Sequence, residues 1–164
     1  MESNWPKVDF TAEITSNHII KVVGFQKSTF HYFHRGGAVV PDIEVTPRPG
    51  VSSLWSMTNL VEWVLVKNLM GHGVANKAIL EIMAEIREGG DRDRLNPRNI
   101  TAFASGQQSY LLIFPKGNAP RYKFLVTDKA NPETLDATIK ESVSQVVFNL
   151  THVFAMAIAG GVIA

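Results

Sequence analysis

The chain has 164 residues, 45% of them hydrophobic and 19% charged, which allows a buried core and excludes a chain disordered from end to end. Its 16 basic and 15 acidic side chains give a formal net charge of +1, so any attraction for a polyanion has to come from where the cations sit. There is no cysteine, which excludes disulfides, thiolate metal sites, thiol redox sensing and cysteine nucleophiles.

Met1 to Phe10 holds Glu2, Pro6 and Asp9 and lacks the basic-then-apolar pattern of a secretory signal, so the expectation is an intracellular, cytoplasmic protein. From Ile14 to Val23 apolar residues fall at 14, 19, 20, 22 and 23, with Thr15 and Ser16 placed to cap a short helix that Gly24 ends. A second short helix is expected over Lys27 to Arg35, with Ser28 as its cap and Gly36-Gly37 as its stop. Val39 to Leu54 is rich in β-branched residues, Pro and Gly, and reads as a two-stranded ribbon or an irregular loop.

Ser56 can cap a helix from Met57 to about Met70, with Leu60, Val61, Val64, Leu65 and Leu69 on its apolar stripe. Gly71 and Gly73 break it, and a further helix is expected over Ala75 to Arg87, where Ile79, Ile82, Met83 and Ile86 recur at helical spacing. Beyond Gly89-Gly90 the alternating charges of Asp91 to Arg98 read as a solvated linker, and residues 1–90 and 91–164 are the expected domains. Tyr110 to Phe114 and Tyr122 to Val126 are strand-like runs joined by a loop with Pro115, Gly117 and Pro120, which favours a hairpin. A last helical segment opens near Pro132, with Val143 to Ile158 as its most apolar part. Ser144, Gln145, Asn149, Thr151 and His152 would be costly in lipid, so this is expected to be a buried or oligomerising helix and not a membrane span.

The segment from Ile14 to Pro41 holds Lys21, Lys27 and Arg35, three histidines and no acid, while Glu13 and Asp42 flank it. A glycine at a turn, a second short helix and nearby cations are what a helix-turn-helix needs to reach base edges and phosphates. Here the chain resembles the MerR family of winged helix-turn-helix regulators. Gly24 stands at the family's turn glycine, STFHYFHRGG (28–37) resembles its second helix, and Pro41 matches its following proline. LWSMTNLVEW (54–63) and LMGHGVANKAILEIM (69–83) resemble the next two units, so the likeness covers residues 14–88.

That resemblance implies a mostly α fold with small β elements: a winged helix-turn-helix amino-terminal domain followed by a small α+β carboxy-terminal region. It implies double-stranded DNA as the partner, with Lys27, Ser28, Thr29, His31 and Tyr32 on or near the duplex, Arg35 toward the backbone and Arg48 in the wing. Phe30 is assigned to the core. His31 stands where the family has an arginine, Phe33 where it has a second tyrosine, and Ser53 or a neighbour where it has a wing arginine, which weakens phosphate anchoring. Gly89, Gly90 and Pro97 preclude the family's long dimerisation helix, so a homodimer is expected to form through the carboxy-terminal apolar helix instead.

His31 and His34, three apart, share a helical face, but no third ligand of matching spacing lies near them, and no metal or cofactor is expected. The glycine pairs match neither a phosphate-binding loop nor a dinucleotide fingerprint, and no serine sits in a nucleophile elbow, so no enzyme activity is expected. Two alternatives stay open: an antitoxin-like or adaptor protein binding a protein partner through its carboxy-terminal half, and a small-molecule-binding regulator using Trp55, Trp63 or Tyr110.

Overall fold

The computed structural model describes residues 11–43, 45, 48–50, 52–96, 107–128, 145–150 and 152–154, with backbone alone at 107, 108 and 125–128. The chain first forms a two-residue strand β1 (Ile14–Thr15), where a helix is expected, because Ile14 and Thr15 pair antiparallel with Trp55 and Leu54 of β2 (Leu54–Trp55). Thr15 still caps as expected: its extended backbone lets the hydroxyl accept the His18 N–H at 3.2 Å and open α1 (Ser16–Ile19). A π-helical turn (Ile20–Gly24) follows, and Gly24 stops it at a φ of +82°, a left-handed conformation that side-chain-bearing residues rarely adopt.

Helix α2 (Lys27–Arg35) has the expected bounds, but its cap is Gln26, which makes no side-chain bond, and Ser28 lies inside the first turn. Among the described residues of the stretch after α2, the expected ribbon shows one isolated antiparallel bridge, Ile43 to Leu54. Helix α3 (Met57–Gly71) opens on a reciprocal cap: Ser56 Oγ accepts the Asn59 N–H and Asn59 Oδ1 accepts the Ser56 N–H, both at 3.1 Å. The expected stripe of α3 is buried, and so are Glu62, Trp63 and Val66, which makes it a helix enclosed on nearly all sides. Helix α4 (Asn76–Glu88) buries Ile79, Ile82, Met83 and Ile86, the four positions its spacing selects.

Aromatic packing locks these helices together. Phe30 of α2 stacks on Trp63 of α3 with centroids 4.4 Å apart, and Trp55 stands edge-on to both at 5.9 and 5.4 Å. Each of the three is fully buried, as expected for Phe30.

After α4 the expected solvated linker is instead, over its described part, a 3₁₀ turn (Arg92–Leu95) with Leu95 fully buried and Arg92 engaged by two carboxylates, and its last two positions, 97 and 98, lie outside the described residues. Alternating charge hides this, because the pattern does not reveal which cation has a buried partner. Strands β3 (Gln107–Ile113) and β4 (Tyr122–Asp128) pair antiparallel as the expected hairpin. The expected helix over Val143 to Ile158 is corrected at β5 (Val146–Asn149), which pairs antiparallel with β3 and gives the order β4-β3-β5. Helix resumes at Leu150 and at 152–154, and the remaining residues of that expectation lie outside the described ones. Two adjacent valines suit a strand, and partnership with Leu111 and Leu112, not local period, decides the conformation.

The described residues thus form a mixed α/β fold of helices and two small antiparallel sheets. One hydrophobic cluster runs from Ile14 through Trp63 and Ile86 to Leu111, Phe148 and Phe154. Among the described residues no helix is long and apolar enough to cross a membrane.

The strand register of β5 makes neighbouring positions unequal, since Phe148 is 5% and Val147 is 37% exposed. Phe148→Ala is expected to cost about 3 kcal/mol in urea unfolding, and Val147→Lys less than about 1 kcal/mol. Equal losses at the two positions would refute the register.

Candidate nucleic-acid interface

Helix α2 is divided by its own period. Phe30 and Phe33, three apart, are fully buried with His34 packed beside them, and this turns Ser28, His31, Tyr32 and Arg35 outward. Lys27, Ser28 and Arg35 are exposed, Tyr32 is 47% exposed, and Thr29 and His31 are half-buried. Ser28, His31, Tyr32 and Arg35 fall at i, i+3, i+4 and i+7 and, with Gly36, line a shallow open depression. Four of the seven sequence-selected residues therefore share one face of α2, and Lys27 and Thr29 lie on the same helix outside that depression.

Arg48, the seventh, is not on α2 but exposed in the loop that the Ile43–Leu54 bridge closes. Gly36 belongs to the depression for a packing reason: a Cβ there would stand 2.7 Å from Leu80 Cδ2, so its absence lets α4 approach the end of α2. Arg87 of α4 donates to the Gly37 carbonyl at 3.0 Å and fixes the same end.

The two histidines of α2 have different surroundings. His34 packs edge-on against Trp55 at 4.9 Å and near Phe30 at 6.0 Å. Burial holds its pKa below the ordinary value, and the nearby charges of His31 and Arg35 push it in the same direction. His31 lies on the depression side. Among the described residues, no group of three potential metal ligands comes together.

The aromatic pocket considered for a small molecule is corrected at two of its three residues. Trp55 and Trp63 are fully buried and packed on each other and on Phe30, which leaves them no face for a ligand. Tyr110 is half-buried on β3.

A polar cluster escaped the sequence reading. Glu62, 3% exposed, is paired with Arg92 and hydrogen-bonded by Asn59, and Arg92 also pairs with Asp42. These contacts raise the Arg92 pKa well above its ordinary value, against the opposing effect of its own burial. The signal was present: a lone carboxylate inside the apolar run NLVEWVLV (59–66) needs a partner wherever the run is buried. No protein-family model matches the chain, and no curated protein matches it.

Because burial lowers the His34 pKa below its ordinary 6.5, the unfolded chain binds that proton more readily than the folded one. Its contribution to stability is complete above that ordinary value and is lost as pH falls through the lowered folded value. The urea midpoint of the wild type is expected to fall from about pH 7 to about pH 5, and His34→Gln to flatten part of that fall. Parallel profiles for the two proteins would remove His34 from the account.

Proposed function

We propose that this chain is a cytoplasmic DNA-binding transcriptional regulator, using a winged helix-turn-helix of MerR-like type in which α2 enters the major groove. In this reading the loop between Ile43 and Leu54 lies on the flanking backbone and carries Arg48 to a phosphate. Two copies act together, so that paired α2 helices meet half-sites about one helical turn apart.

The observation that carries the reading is that α2 bears cations and hydrogen-bonding side chains with no acid among them, while the acids of the described salt bridges lie on other elements. Asp42, Glu62, Glu81, Glu85 and Asp91 are engaged by Arg92, Arg121, Arg94 and Lys77, on α4, the turn after it and the hairpin. Among the described residues no salt bridge involves Lys27, Arg35 or Arg48, and α2 carries no acid. A net charge of +1 therefore conceals a helix α2 with two cations and no acid, although Lys21, Lys67, Arg87, Lys116 and Lys123 elsewhere also make no salt bridge among the described residues.

The chemistry of α2 suits the groove. Ser28, Thr29 and Tyr32 supply hydroxyls, His31 an imidazole and Arg35 a guanidinium, groups that hydrogen-bond to base edges and phosphate oxygens. Lys27 and the first-turn amides, left without a side-chain cap by Gln26, favour a phosphate at the start of the helix.

A salt titration of binding to random-sequence duplex tests this. Affinity is expected to fall steeply with salt, and Lys27→Ala, Arg35→Ala and Arg48→Ala are each expected to flatten the log–log slope by about 1. Absence of binding at low salt, or slopes unmoved by all three substitutions, would refute the proposal.

A further inference from the structure

Arg92 joins two regions that the sequence keeps fifty residues apart. Its Nε donates to Glu62 Oε1 at 2.8 Å, and its Nη2 donates to Glu62 Oε2 at 3.1 Å and to Asp42 Oδ2 at 2.7 Å. Asp42 immediately precedes the Ile43–Leu54 bridge, at the base of the ribbon. The same base is held by Asn59, which is fully buried. Its Oδ1 accepts the N–H groups of Asp42 and Ser56 at 2.9 and 3.1 Å, and its Nδ2 donates to the Val40 carbonyl and to Glu62 Oε2, both at 2.9 Å. Ser56 Oγ donates to Asp42 Oδ2. Both legs of the ribbon are thus fastened to one polar cluster, and Arg92 is the member that comes from beyond α4.

The other side of the turn that carries Arg92 is held by the carboxy-terminal sheet. Tyr122 Oη of β4 donates to Asp91 at 3.3 Å, and the Arg94 guanidinium lies 5.6 Å from the Phe124 ring centroid. One residue before β4, Arg121 gives its backbone N–H to Glu85 Oε2 at 2.8 Å and its guanidinium to Glu85 and Glu81 of α4. Gly89 completes the contact, since a Cβ there would occupy the position of the Tyr122 hydroxyl. From β4 to the ribbon base the path is continuous: Tyr122, Asp91, Arg92, Asp42.

We propose that Arg92 is a positioning residue for the Arg48-bearing ribbon, and that through the Asp91–Leu95 turn the set of the ribbon depends on the set of the carboxy-terminal sheet. A ligand or partner that displaces β4 would then alter duplex binding at the ribbon without touching α2. The coupling stands on the contacts alone, and its consequence for DNA rests on the function proposed above.

The test separates the two. Arg92→Ala leaves Glu62 buried and unpaired and risks unfolding the chain, so Asp42→Asn is the primary variant. It removes the charge that meets Arg92 and keeps the Arg92–Glu62 pair and the backbone bonds to Asn59. Gly89→Ala is the remote variant: it displaces Tyr122 on the far side of the turn, and Gly89 has an ordinary helical φ that alanine accepts. Hydrogen–deuterium exchange of the full chain without DNA is expected to rise at the Asp42 and Ser56 amides by about tenfold in Asp42→Asn and about threefold in Gly89→Ala, with the amides of α2 unchanged.

Unchanged exchange in Asp42→Asn would overturn the positioning role, and unchanged exchange in Gly89→Ala would overturn the coupling to the sheet. With duplex, Asp42→Asn is expected to bind about fivefold more weakly and to lose the part of the salt slope that Arg48→Ala loses. If the exchange rises as expected while wild type binds no duplex, the coupling holds and the DNA-binding reading fails.

Discussion

Glu62 is a carboxylate 97% withdrawn from water, since its residue is 3% exposed, and the fold around it is arranged to keep it partnered. One oxygen takes the Arg92 Nε, and the other takes the Arg92 Nη2 and the Asn59 amide. That requirement brings a turn from beyond α4 against the middle of α3, and it gives Asn59 its orientation. Asn59 in turn spends its remaining hydrogen-bonding capacity on Val40, Asp42 and Ser56. A charge in the core is poor evidence of net stability, but it is strong evidence of specified geometry here, because every member of the cluster has its partners.

The aromatic cluster sets the other half of the arrangement. Stacking of Phe30 on Trp63 fixes the rotation of α2, and with Phe33 also buried only one face of the helix can meet solvent. The hydroxyl, imidazole and guanidinium groups on that face are consequences of a rotation chosen by packing. Helix α4 then works from two sides. Leu80 and Arg87 reach the end of α2 at Gly36 and Gly37, while Glu81 and Glu85 receive Arg121 from the hairpin.

What could be read from the sequence is what local physics decides. The bounds of α2 follow from the glycines on either side, the start of α3 from Ser56, and the buried face of α4 from Ile79, Ile82, Met83 and Ile86. Long-range partnership was not legible. Strand β1 exists because Trp55 lies opposite Ile14, and β5 because β3 offers Leu111 and Leu112 as partners, neither of which leaves a mark within its own window. The run Asp91 to Arg94 resembles solvated charge because only the fold tells Arg92, with its two carboxylates, from Arg94 on the surface. For the candidate interface, the sequence was sufficient to group six residues on one helix, and it could not supply the polar cluster that holds the ribbon base.

The small number of cations on α2 and the ribbon loop constrains the proposed mode of binding. Lys27, Arg35 and Arg48 would give one chain about three phosphate contacts, which corresponds to a log–log salt slope of about −2.7. Non-specific duplex binding of that size is weak at physiological ionic strength. Two chains on one site would double the slope to about −5.4, so in this mode most of the usable affinity comes from pairing. The ribbon then matters beyond its single arginine. In that mode, losing Arg48 from both copies would remove a third of the electrostatic anchoring, and a turn that sets the ribbon would modulate occupancy while α2 kept the contacts to bases proposed for it.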